Sequence, residues 1–114
     1  MPRKYREQDL KLLFGLSSGI CAYPGCKKLC LSPQNTHDDA SVEAEIAHIV
    51  AHGDKGPRAN PDMPKEERDR YDNLILLCGH HHNLVDNREN TFTIETLIPI
   101  QFEDALNTAF VMKS

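Results

Sequence analysis

Five of the six histidines fall between Glu45 and Asp86, and His80, His81 and His82 are consecutive. Imidazole exchanges protons near neutral pH and ligates divalent cations, so such a cluster suggests metal or proton chemistry. The triplet follows an apolar run, Asn73-Leu74-Ile75-Leu76-Leu77-Cys78. A helix starting near it sets His82 and Asp86 at i and i+4 on one face. There an imidazole and a carboxylate can share one divalent cation. His48 ends a separate short apolar run and belongs to no such pair.

The four cysteines are Cys21, Cys26, Cys30 and Cys78. Pro24-Gly25 is a turn signal that folds Cys21 and Cys26 toward each other. Two thiolates need two more ligands to close a tetrahedron, and Cys78 with His81, spaced C-x-x-H, supplies them. A structural zinc on Cys21, Cys26, Cys78 and His81 would clamp the N-terminal region to the central hairpin. Cys30 could replace one ligand, but Cys21 and Cys26 flank the better turn, so it reads as a bystander. Free buried thiols are the bland alternative.

The elements that must position these groups come from a chain of 114 residues, which suits one small domain, 1–114, with a core over about 20–90. With no Trp and four Phe it builds only a thin core, which a structural metal would support. The net charge of −4 argues against nucleic-acid binding through bulk charge and leaves a local basic patch open. The polar N-terminus lacks a secretory signal, and no apolar run reaches membrane-spanning length. Clustered Cys and His in a cytoplasmic chain read as metal ligands before disulfides.

The pattern predicts an α+β fold. A helix is expected over residues 6–16, with an apolar face of Leu10, Leu12, Leu13, Phe14 and Leu16. Residues 32–41, including His37, read as a loop, and 42–50 as a strand that becomes apolar around His48. Breakers fill residues 51–72, a long loop with a short helix at 65–71. Arg58, Arg68 and Arg70 are candidate phosphate contacts in it, Arg58 first. His52 is a candidate second active-site histidine, against a loop histidine with no chemical role. Arg3, Lys4, Arg6 and Lys11 touch phosphate or form a solvated face. A strand over 73–77 leads to a helix over 82–88. A last helix over about 93–112 has Thr93 as a weak N-cap and Pro99 as a break or kink. Phe102, Ala105, Leu106, Ala109 and Phe110 are its expected packing face.

From about Cys21 to Asn87 the chain resembles the HNH endonuclease family. The residues that carry this are Glu45-Ile46-Ala47-His48-Ile49, Gly56-Pro57-Arg58, Asn73-Leu74-Ile75-Leu76-Leu77-Cys78, and His81-His82 followed by Asp86. The resemblance implies a ββα-metal core with a zinc-binding knuckle and flanking helices, hydrolysing phosphodiester bonds in DNA, with RNA not excluded. His48 matches the family's general base, and Asn73 the Asn that bonds loop backbone and holds the base in place. His82 and Asp86 match the catalytic metal ligands. Cys21, Cys26, Cys78 and His81 match the structural zinc set. The residue before the base is usually Asp or His and binds the metal; Ala47 cannot, so water, Glu45 or His52 takes that place. The implied cofactors are one catalytic Mg²⁺ or Mn²⁺, with Zn²⁺ or Ni²⁺ as further candidates, and one structural zinc.

The Ala-His-Ile and Gly-Pro-Arg pairing is similar to nuclease domains of bacterial or phage defence and restriction systems. The implied partners are DNA, a sensing or specificity domain or subunit, and a second copy in a homodimer, with no membrane. The competing reading is a noncatalytic zinc-binding module that recognises nucleic acid or protein.

Overall fold

The computed structural model describes residues 5–113, with side chains through residue 107. Arg3 and Lys4 lie outside the described residues, as do the side chains of Ala109 and Phe110. Helix α1 spans Glu7–Ser17. It stops where Ser18 turns left-handed at φ 55° and the Ser18 and Gly19 N–H groups donate to the Gly15 and Phe14 carbonyls. Its buried positions are Asp9, Leu13 and Ser17. Leu12, expected on the apolar face, is exposed.

The chain then forms a knuckle. Ile20 bridges Leu29, Cys21 N–H donates to the Lys28 carbonyl, and Cys30 N–H to that of Gly19. Gly25 at φ 80° and Lys27 at φ 56° make the turn. Strands β1 (Leu31–Ser32) and β2 (Ser41–Val42) pair antiparallel. The strand expected over 42–50 is interrupted, because Glu43 N–H turns to the Cys30 carbonyl. It resumes as β3, Glu45–His48.

Strand β4, Leu74–Leu77, pairs antiparallel with β3 in the register Glu45↔Leu77 to His48↔Leu74. All four β4 residues are buried. Ile75 and Leu77 pack with Cys21, Cys78, Val85 and Leu97 on one face. Leu74 and Leu76 pack with Leu13, Tyr5 and Phe14 on the other. The knuckle docks through Ala22 N–H on the Leu76 carbonyl. Helix α2, Gly79–Asn87, starts one residue after β4 and earlier than expected, so the three histidines occupy its first turn. With β3 and β4 it makes a ββα unit.

The helix expected over 65–71 is two 3-10 turns, Lys65–Glu67 and Tyr71–Asn73. Arg68 and Asp69 between them are buried. Helix α3, Ile94–Lys113, runs through Pro99. Pro99 has no N–H to donate to the Glu95 carbonyl. Thr93 caps it, accepting from Thr96 N–H at 3.3 Å. Its inward face differs from the one expected: Phe102 and Leu106 are exposed, while Leu97 is buried and Gln101 donates to the Tyr71 and Leu74 carbonyls. Among the described residues no helix is long and apolar enough to cross a membrane.

Candidate active site

Among the described residues, two groups of side chains bring donor atoms within 4.8 Å of one another, close enough to hold a metal ion. The first is Cys21, Cys26, Cys78 and His81. The knuckle turn delivers the first two, and the β4–α2 junction the others. His81 Nδ1 lies 3.6 Å from Cys21 Sγ and 3.3 Å from Cys78 Sγ. Tyr23 stacks flat on His81, ring centroids 3.9 Å apart, and fixes its plane. Burial, then the neighbouring His80, lowers the His81 pKa and favours the neutral form that ligates metal. Burial pushes the Cys21 thiol up to about 12. At Cys78 burial also raises the pKa, but the His81 and His80 N–H groups and the Cys21 and Cys26 thiols outweigh it, and the net shift is downward. Three sulfurs and one imidazole nitrogen fit a tetrahedral cation of the zinc type. Cys30 lies outside this group, with its thiol 3.5 Å from the Lys28 carbonyl.

Helix α2 also carries His82 and Asp86. His82 Nε2 is 3.1 Å from Asp86 Oδ2, and His82 Nδ1 is 2.9 Å from Glu45 Oε1. The other Asp86 oxygen accepts from Arg58 Nη2 at 2.8 Å. Both members of the pair are thus oriented from behind. Gly79 makes room for the Glu45 carboxylate: a Cβ there would meet Oε2 at 2.6 Å. Ala47 is 1% exposed in the core beside Ile75, so no ligand reaches the pair from that position.

Arg58, the candidate phosphate contact, turns its guanidinium inward. Its side chain is 3% exposed. It donates to the carbonyls of His48, Ile49 and Val85 as well as to Asp86. Arg68, also expected on phosphate, is buried, donating to the carbonyls of His52, Asn60, Pro61 and Met63 and to Asp54. The Arg68 guanidinium serves carbonyls of its own loop, and the Arg58 guanidinium serves carbonyls at the end of β3 and on α2.

The second candidate group is His48, His52 and Asp69. His48 Nε2 lies 2.8 Å and His52 Nδ1 3.0 Å from the same oxygen, Asp69 Oδ1. Asn73 accepts from Val50 N–H and donates to the Val50 and Arg68 carbonyls, all at 2.8 Å. It therefore ties the chain just past His48 to the residue before Asp69. His48, His52, His82 and Asp86 line one cavity of about 200 Å³, together with Gly53, Gly56, Pro57 and Arg58. The imidazole from β3 and the His–carboxylate pair from α2 thus meet at one opening.

Sequence reasoning missed the inward roles of Arg68 and Asp69. Residues 65–70 are a charged run, and nothing in its spacing marks which members turn inward. The Glu45–His82 contact follows from the β3–β4 register, which places Glu45 opposite Leu77, just before α2.

The model of a family described as HNH endonuclease matches residues 21–93, well over half of the chain. No curated protein matches it. The chain belongs to the HNH endonuclease family, and its ββα unit, with the two candidate metal groups gathered around it, matches the ββα-metal core of that fold.

Proposed function

We propose that this HNH-family chain is a single metal-dependent endonuclease domain that hydrolyses phosphodiester bonds in DNA. The observation that carries the reading is the shared cavity of His48, His82 and Asp86. His82 Nε2 and Asp86 Oδ2 face each other and would hold one divalent cation, Mg²⁺ or Mn²⁺. When bound, that ion neutralises charge developing on the phosphate and stabilises the leaving oxygen. Glu45 accepts the His82 Nδ1 proton, which leaves Nε2 as ligand and keeps the ring in place. Arg58 does the same for Asp86 through its other oxygen. His48 takes a proton from the attacking water, and Asn73 fixes the backbone just after it. No covalent intermediate is required.

The cysteine-rich group holds a structural zinc. Cysteines gathered as cation ligands rather than paired in disulfides suit a reducing cytoplasm. The Ala-His-Ile and Gly-Pro-Arg sequences favour a bacterial or phage defence nuclease working beside a sensing or specificity partner. One such site cuts one strand per encounter, so a double-strand break takes a homodimer or two visits. A noncatalytic zinc module would need only the cysteine site, and leaves the carboxylate and guanidinium behind His82 and Asp86 without a purpose.

The test is nicking of supercoiled plasmid with Mg²⁺, Mn²⁺, Ni²⁺ or Zn²⁺ against chelator. Nicking that depends on added cation supports the reading. No nicking by folded, zinc-loaded protein with any of the four rejects it in favour of the binding module.

A further inference from the structure

We infer that Asp69 is a positioning residue that sets the tautomer and aim of His48, with His52 as the second imidazole on the same oxygen. This deepens the proposed function and rests on His48 being its base. A carboxylate only accepts hydrogen bonds, so a ring nitrogen within 3 Å of it carries the proton. With no ion between them, contacts of 2.8 Å to His48 Nε2 and 3.0 Å to His52 Nδ1 therefore favour opposite tautomers in the two neutral rings. His48 holds its proton on Nε2, and its lone pair, the atom that does base chemistry, is on Nδ1. A base aimed through one nitrogen by a buried carboxylate on the other starts in the right orientation and protonation state.

The position of Asp69 is itself over-determined. Its neighbour Arg68 is fixed at the guanidinium by loop carbonyls from His52 to Met63, and at its own carbonyl by Asn73. Asn73 thus holds the base from the backbone side and the aiming carboxylate from the loop side. Asp69 is 6% exposed, and it is absent from the described residues that line the cavity, whereas both imidazoles line it. The two imidazoles thus face the cavity while the buried carboxylate that both contact stays out of its lining, as an orienting group does.

The test has two arms on the full chain. In the wild type, long-range ¹H–¹⁵N correlation of the imidazoles reads the tautomers directly. His48 is expected as Nε2–H and His52 as Nδ1–H, and both signals persist when Mg²⁺ is added. A His48 proton on Nδ1, or loss of the Nε2 proton on adding Mg²⁺, overturns the inference, the second outcome by making the trio a metal site. The other arm compares plasmid-nicking rates of wild type, Asp69→Asn, His48→Ala and the double variant. Asp69→Asn should lower the saturated rate about 100-fold while half-saturating DNA and Mn²⁺ concentrations stay within about twofold. The double variant should be no slower than His48→Ala alone, because both changes remove one function. Additive losses, or a rise in the Mn²⁺ requirement, count against a positioning role. If Asp69→Asn does not fold, the tautomer arm decides. A fully active His48→Ala rejects the proposed base itself; an impaired His48→Ala beside an unimpaired Asp69→Asn rejects only the role of Asp69.

Discussion

Arg58 adopts φ 59°, a left-handed conformation that costs a non-glycine residue about 1 kcal/mol or more. The strain persists because the guanidinium it aims inward satisfies three carbonyls and Asp86. Lysine has the charge but not the fork. Arg58→Lys is therefore expected to lose about 2–4 kcal/mol in urea unfolding and to need more Mn²⁺ for half-maximal nicking. Gly79 separates the two effects. A methyl there must displace the Glu45 carboxylate from behind His82 but suits the helix. Gly79→Ala should keep or raise the melting temperature while Mn²⁺ affinity falls about 10- to 100-fold, read by titrating nicking activity. Affinity unchanged with the Glu45 carboxylate displaced would remove it from the ligand's support. At this scale the sequence was legible where spacing carries chemistry: C-x-x-H at Cys78 and His81, and i, i+4 at His82 and Asp86. It was illegible where charge turns inward, because an arginine that serves carbonyls and one that serves phosphate are the same letter.

The helices show the same limit. Asp9 looks like a surface acid on α1, yet it is buried against Arg6 and Tyr71. The Arg6 guanidinium, hydrogen-bonded to its carboxylate, outweighs burial and holds the Asp9 pKa below its usual value, and the Tyr71 N–H helps. The folded pKa lies below the unfolded one, so the pair stabilises the fold above about pH 4 and the contribution fades as pH falls through the folded pKa. Asp9→Asn should cost about 1–3 kcal/mol at neutral pH, with the difference from wild type narrowing in acid. Asp104 on α3 has the opposite sign. Burial pushes its carboxyl up to about 6. Its stabilising contribution is complete below the unfolded pKa and is lost as pH rises through about 6. Asp104→Asn is thus expected to melt higher than wild type at neutral pH, by an amount on the order of 1–2 kcal/mol, and to converge with it in acid. The existence and type of α1, β4 and α3 were readable from apolar patterning, and those of α2 from the i, i+4 spacing of His82 and Asp86. Their inward faces were not, because α3 meets β4 through Leu97 and Gln101 while Phe102 and Leu106 are exposed.

The whole molecule is stitched by contacts distant in sequence. The knuckle cysteines precede their α2 partners by more than fifty residues, and the base on β3 meets the α2 pair across a loop wound around Arg68. With so thin a core, metal at the cysteine site is folding free energy. Cys78→Ala should lower the melting temperature and abolish stoichiometric zinc, whereas Asp86→Ala should lose nicking and keep its zinc, both read by metal analysis beside thermal unfolding. The central claim is that an imidazole from one side of the opening and a metal-holding pair from the other act on one phosphodiester. Single-turnover nicking of supercoiled plasmid in Mn²⁺ tests it most directly, with wild type beside a folded His48→Ala of equal zinc content. The account predicts a loss of about 10²- to 10⁴-fold in rate. Equal rates for the two proteins would contradict it.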